Sequence, residues 1–267
     1  MFINENLSII AILTIVICSL CCALIGNFVL WKKMSFFGDA ISHSAIFGVA
    51  VGLFLEIDQI IALTIFNFIF SYLVTKISKQ KIFSIDSIVM IFSYFFIALG
   101  IVFNQSFNNG IEIEEFMFGD MSVINLKNLI VIILILFAVI IFIIFYTKKF
   151  LLLIINNDIA ISRKIDENRL NFLFMVLLSI LIAFAVKVTG ILLVTALMVI
   201  PCAIARIIAK NPQHMIFTSA GFGIAIPVIG VIISSLLNIN IVPSLIIIYC
   251  LIFFALLSLN NLFYEKI

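Results

Sequence analysis

Charge is what this chain has least of. Only 10% of its 267 residues are Asp, Glu, Lys or Arg, against about a quarter in an ordinary soluble protein. Sixty-five percent are hydrophobic, and the mean hydropathy is +1.39. That leaves too little polar surface to cover a water-soluble fold, and large exposed apolar patches are rare on soluble monomers. The chain is therefore read as an all-α, polytopic transmembrane helical bundle. A spanning helix takes about 20 residues, so there is room for roughly eight to ten spans and none for a separate catalytic domain. Residues 1–267 are expected to form a single transmembrane domain. A net charge of +2 is too small an imbalance to argue for nucleic acid as a partner.

Other absences narrow the chemistry. GxxxxGK[ST] occurs nowhere in the chain, so energy from ATP has to arrive through another subunit. HExxH is missing too, which leaves an intramembrane metalloprotease without its ligand pattern. The opening MFINENLS has no basic n-region, and the apolar run from Ile9 to Leu30 is long enough to stay as a span rather than be cleaved. Cys18, Cys21, Cys22, Cys202 and Cys250 all lie in apolar runs, where a thiol behaves as a small hydrophobe. Cys18 and Cys21 share a helical face, but without a second ligand pair they make a weak version of a metal pattern.

The apolar runs fall at 7–30, 34–55, 59–76, 87–103, 125–146, 170–186, 190–208, 214–236 and 241–260. They predict about eight or nine spans, the short 170–186 and 190–208 pair being either two spans or one re-entrant unit. If the odd-numbered runs point inward, thirteen of the fifteen basic residues gather on one side. These are Lys32, Lys33, Lys76, Lys79, Lys81, Lys148, Lys149, Arg163, Lys164, Arg169, Arg206, Lys210 and Lys266, with Lys127 and Lys187 opposite. The positive-inside rule then sets the N-terminus outside and the C-terminus in the cytoplasm. The outer connection 104–124 carries Glu112, Glu114, Glu115 and Asp120. It reads either as a cation-gathering loop or as a solvated one. The inner connection repeats Leu152, Ile155, Ile159 and Ser162 at helical spacing, as a short helix on the membrane or against another protein would.

One apolar run differs from the rest. Between Met34 and Gly52, Asp39 and His43 stand four residues apart, on one helical face and about a turn from each other. Counted from Lys33, His43 lies about 15 Å along a helix, close to mid-bilayer. Ionisable groups in hydrocarbon cost about 2.5–3.5 kcal/mol or more, so they face an interior or a wet path. Imidazole with carboxylate suits a first-row divalent ion such as zinc better than calcium or magnesium. The competing reading is an Asp–His hydrogen bond that locks helix packing. On the opposite face Gly48 and Gly52 form a GxxxG unit suited to close helix packing. Pro201, Pro227 and the run from Gly221 to Gly230 have the interrupted look of transporter helices. His214 reads as an interfacial polar residue.

The segment FGDAISHSAIFGVAVG at 37–52 resembles the second-span motif of the ABC-type metal-ion permeases (ABC-3), the membrane subunits of high-affinity zinc, manganese and iron importers. FGD at 118–120, LLLIINNDIA at 151–160, GILLVTALMVIPCAIARIIAKNPQHM at 190–215 and VPS at 242–244 are similar to later family segments. The resemblance covers nearly the whole chain, and DIA with KNPQHM looks more like the bacterial zinc-uptake branch. It implies a transport subunit rather than an enzyme, of the bacterial inner membrane and working as a homodimer. It also implies a cytoplasmic ABC ATPase subunit and a periplasmic metal-binding protein as partners. No cofactor is implied; the divalent metal is cargo. Asp39 and His43 match the family's ion-pathway positions. Asn156, Asp158, Ala160, Lys164 and Ile165 fall in the segment that couples to the ATPase. Two positions depart from the pattern. Many relatives have glycine at Lys164, and zinc permeases tend to carry histidine in the fourth span where Phe92 stands here. A manganese or iron importer permease, an ATP-independent cation carrier and an intramembrane metalloenzyme are the alternatives.

Overall fold

The computed structural model describes residues 9–34, 36–78, 83–107, 119, 124–237 and 239–264. Among them every regular element is a helix: α1 (Ile9–Trp31), α2 (Phe37–Phe54), α3 (Gln59–Ser78), α4 (Ile85–Phe107), α5 (Leu126–Ile155), α6 (Asn157–Ser162), α7 (Glu167–Ile208), α8 (Pro212–Leu237) and α9 (Ile241–Tyr264). Eight of these, all but the six-residue α6, are long and apolar enough to cross a bilayer. Lys79, Lys81, Lys266 and the acidic residues Glu112, Glu114, Glu115 and Asp120 lie outside the described residues.

Polar residues set the helix ends. The Asn125 side chain accepts a hydrogen bond from the Asn128 amide at 3.2 Å, and that of Asp166 accepts from the Arg169 amide at 3.1 Å. Each satisfies an otherwise orphan first-turn donor of α5 or α7. Three helices end in a left-handed residue followed by a bond from the next amide back to a carbonyl five residues earlier. Lys33 (φ 57) closes α1 through Met34 N–H to Val29 O, Glu56 (φ 54) closes α2 through Ile57 to Gly52, and Lys164 (φ 55) closes α6 through Ile165 to Ala160.

The 42-residue α7 is the structural surprise. Asn171, near its start, takes a hydrogen bond from Lys32 just beyond α1, while Cys202, near its end, donates through Sγ to the Ala23 carbonyl of α1. A straight helix would hold those two residues about 46 Å apart at 1.5 Å per residue, yet both meet the same end of α1. The chain therefore folds back inside α7, and Gly190 (φ 78, ψ 166) is the residue with non-helical dihedrals. That combination of angles belongs almost wholly to glycine. Residues 167–189 and 191–208 are each long enough to cross, and among the described residues they form two segments that reverse at Gly190, where the 170–186 and 190–208 runs separate.

The helix ends near Lys32, Thr75, Phe150, Asn171 and Met215 come together, because Lys32 lies over the Phe150 ring, Trp31 bonds Met215, and Thr75 shares a cavity with Asn168 and Asn171. This is the basic end of the bundle. Lys127 and Lys187 are at the other end, where Gly119 packs its backbone on Thr189 and Gly190.

α1 and α7 form the buried centre. α8 and α5 pack on α1, α9 on α7 and α8, while α2 and α3 pack on α7 and α4 covers α2. Lipid gives no hydrophobic drive for helices to associate, so close packing and hydrogen bonds carry the assembly. Asn27 donates to Ser219 at 2.7 Å, and Ser19 meets the Tyr249 hydroxyl at 3.1 Å, tying α1 to α8 and α9. At the basic end Phe28 makes edge contacts with Trp31, Phe142 and Phe150 at 5.1–5.3 Å, which joins α1 to α5.

Candidate metal pathway and coupling segment

α2 is buried along most of its length, including Ile41, Ser42, Ser44, Ala45 and Val49. Asp39 and His43 are left half open, at 47% and 34% exposed, with His43 Nε2 3.5 Å from Asp39 Oδ1. Asp39 stands in the first turn of α2, where the helix dipole favours a negative charge. The turn before α2 uses up residues 32–36, so His43 is about 9 Å along the helix from Phe37. The pair therefore sits in the half of α2 nearer the basic end. Both side chains keep atoms free for a third party, and 3.5 Å is beyond good hydrogen-bond length. Among the described residues no group of three His, Cys, Asp or Glu is placed to hold a metal ion. The pair offers two donor side chains and no third within the described residues.

Gly48 and Gly52 lie on the buried side of α2 against α3. A Cβ on Gly48 would stand 3.1 Å from that of Phe66, and one on Gly52 2.7 Å from that of Ala62. α4 runs alongside α2 in the same direction, with Phe47 5.8 Å from Phe96 ring to ring, and the backbone of Phe47 against Gly100. One turn back, Phe92 comes to the level of His43, within an aromatic group with Phe70 and Phe96 at 6.2 and 6.0 Å. Cys18, Cys21, Cys22 and Cys202 are fully buried. The Gly221 to Gly230 region is a packing surface: Gly223 meets Ala23 of α1, Gly230 meets Leu245 of α9, and α8 passes unbroken through Pro227. His214 is exposed at the start of α8, its Nδ1 3.4 Å from the Lys210 amide.

At the basic end the predicted short helix is shorter than its spacing suggests. Leu152 and Ile155 belong to the last turns of α5, which at 30 residues outruns a bilayer. Asn156 then breaks the helix and caps the next one, its Oδ1 accepting from the amides of Asp158 and Ile159 at 3.0 and 3.2 Å. α6 hangs below the bundle with Asp158 exposed, Ala160 fully buried, and Ile155 and Ile159 79% and 45% exposed. The left-handed Lys164 ends it, and Ile165, half-buried, leads back toward α7. This explains why glycine would suit that position: a side chain costs about 1–2 kcal/mol in the left-handed region. Lys164→Gly is expected to slow amide exchange of the Asn156–Ile165 knuckle and to raise its local stability by about 1 kcal/mol; hydrogen–deuterium exchange reads this directly.

Lys32, which sequence reasoning used only for orientation, ties the end of α1 to α5 and α7 on either side of this knuckle. Its ammonium lies over the Phe150 and Phe174 rings at 5.2 and 5.8 Å and bonds Asn171. Burial pushes its pKa from 10.5 down to about 8, against the opposing pull of Glu167. Below pH 8 the folded chain carries a charge it would rather lose. Between about 8 and 10.5 the unfolded chain binds the proton that the folded one has shed, so stability rises with pH in that window. Melting curves in one detergent at pH 7.5 and 9.5 are expected to show this rise, and Lys32→Met to flatten it.

Eight helices long and apolar enough to cross a bilayer make this a multi-pass membrane protein. The chain belongs to the ABC 3 transport family, which it matches over residues 4–260. It is 32% identical over 250 residues to the high-affinity zinc uptake system membrane protein ZnuB of Haemophilus influenzae, covering 93% of this chain and 95% of that one. It is 27% identical to the manganese import system permease protein ScaB of Streptococcus gordonii, over 91% of this chain and 87% of the other. Among solved structures, PsaBC from Streptococcus pneumoniae in complex with Fab superposes with a TM-score of 0.80 at 26% identity, covering 92% of this chain and 89% of that one. The protein is a multi-pass metal permease of an ABC system, a transport subunit and not an enzyme.

Proposed function

We propose that this chain is the membrane-spanning half of an ATP-driven importer that carries divalent metal ions, zinc first, into the cytoplasm. Two copies enclose the pathway, the basic end faces the cytoplasm, and an external binding protein delivers the ion. The observation that carries this reading is the half-open Asp39–His43 pair on an otherwise buried helix. A chain with one such half-site gains a fuller shell when a second copy brings the same face to it, and C2 is the commonest closed symmetry. Asp39 and His43 bind the ion transiently as the dimer switches between outward- and inward-open states. The Asn156, Asp158, Ala160, Lys164 and Ile165 knuckle, with Ile155 and Ile159 uncovered beside it, docks on the ATPase.

Manganese or ferrous iron as cargo is the second reading, and Phe92 favours it. An aromatic ring stands at the level of His43 where a further histidine would supply the nitrogen that zinc prefers. Rescue of a transporter-deficient strain by each metal separately decides the cargo. Growth restored at limiting zinc alone supports the first reading, and growth restored only for manganese overturns it. Uptake that persists without the ATPase subunit overturns the ATP-driven mechanism.

A further inference from the structure

We infer that a cleft between the basic-end termini of α5 and α7 binds the phosphate head group of an anionic phospholipid. The cleft has a volume of about 510 Å³, and its mouth carries Lys149, Arg163, Lys164 and Arg169. Among the described residues none of these four is ion-paired with a carboxylate. Asp166 also lines the cleft, but its carboxylate is turned to its own helix, accepting from the Arg169 amide at 3.1 Å. The mouth therefore presents four cations to a ligand that must bring negative charge.

The floor of the cleft says which anion. It is made by Tyr146 and Leu173, each about a turn deeper into the bundle than Lys149 and Arg169, with Leu170 next to Arg169. Tyr146 lies under the Lys149 ammonium at 5.4 Å, an aromatic ring at the depth where membrane interfaces favour one. Tyr146 itself stacks on the buried Phe142 at 5.4 Å, while the exposed apolar stripe of α5, through Phe145, Ile144, Ile141 and Phe137, runs along another face of that helix. A free phosphate or an acidic side chain of a soluble subunit has use for the cationic rim alone. A phospholipid uses both rim and floor, with its head on the cations and its apolar part against Tyr146 and Leu173. Basic pockets between helices on the cytoplasmic side are known to hold such head groups, and that leaflet supplies anionic lipid.

The test uses the full chain in neutral detergent, titrated with phosphatidylglycerol, with phosphatidylcholine and with sodium phosphate, reading bound lipid by native mass spectrometry and protection by melting temperature. Phosphatidylglycerol is expected to bind and protect where phosphatidylcholine does not. In the variant Lys149→Gln/Arg169→Gln its affinity is expected to fall about thirtyfold, at roughly fivefold for each cation removed. Arg163, Lys164 and Ile165 belong both to the cleft and to the Asn156–Ile165 knuckle, so the test removes only Lys149 and Arg169, which lie outside the knuckle, and reads lipid binding on the chain without its ATPase. Should the double variant melt early in phosphatidylcholine, Lys149→Gln alone, on an exposed residue, carries the test with a fivefold drop. Unchanged phosphatidylglycerol affinity in the variant overturns the proposal. Equal protection by sodium phosphate overturns the lipid source in favour of an ion site. Retained lipid affinity with lost capture of the ATPase subunit overturns it in favour of a protein contact.

Discussion

His43→Ala and Asp39→Ala are each expected to reduce metal uptake to the background of a strain lacking the permease, while the amount of membrane-inserted protein stays unchanged. Even the outer-shell partners of metal ligands cost about 10–100-fold in affinity or activity when removed. On the proposed reading each variant removes one of the two donors that the chain brings to the ion. Measuring uptake per molecule of inserted protein separates this from the competing idea that the pair merely locks α2. A lock would show as lost protein with normal uptake per remaining molecule. The geometry is a poor lock, since 3.5 Å between Nε2 and Oδ1 is long for a hydrogen bond and both side chains stay a third or more exposed. Asp39→Asn sharpens the test. It keeps the volume and a polar side chain but loses the charge that holds a cation, so it is expected to behave as Asp39→Ala in uptake. Normal uptake by Asp39→Asn and His43→Ala at limiting metal would remove the pair from the pathway.

That pair was legible in the sequence for the same reason that the bundle was. Against a background of 10% charge, an ionisable pair inside an apolar run has no bland surface to belong to. The turn chemistry was less open. Lys33, Glu56 and Lys164 each adopt the left-handed conformation that usually calls for glycine, so composition gave no sign of three helix ends. Which face of each helix looks inward was closed to sequence patterning altogether. Lipid and protein interior are equally apolar, so Phe137, 63% exposed, and Phe142, 4% exposed, look alike on the page. The reversal at Gly190 could be suspected from Thr189-Gly190 and the neighbouring Lys187. Its packing against Gly119 is a contact between distant segments that no local pattern encodes. Phe92 shows the converse limit: its identity is plain, and only the parallel packing of α2 and α4 brings it to the level of His43.

The largest effect on folding is expected from one methyl group. A Cβ on Gly26 would stand 1.9 Å from the carbonyl oxygen of Met198 and 2.8 Å from Cys202 Sγ, where α1 crosses the returning half of α7. Neither neighbour can swing away, since the first is backbone and the second donates its hydrogen bond to Ala23 O. The two central helices would have to part by more than an ångström. Overpacking a well-filled core costs about 1–3 kcal/mol and sometimes more, and a clash with backbone belongs at the upper end of that range. The strain also reaches the start of α2, where Asp39 stands. Met198 Sδ would lie 3.1 Å from a Cβ on Gly38, immediately before Asp39, so parting α1 from α7 displaces the start of α2. Gly26→Ala is therefore expected to lower the melting temperature sharply, and the fraction that still inserts is expected to transport poorly per molecule. Gly221→Ala is the matched control, because its Cβ meets nothing within 4 Å and its helix gains the better helix former. Wild-type melting and uptake for Gly26→Ala would show that α1 and α7 are free to separate. The alternation of the pathway would then run through that crossing, and not through a rigid centre around which the outer helices move.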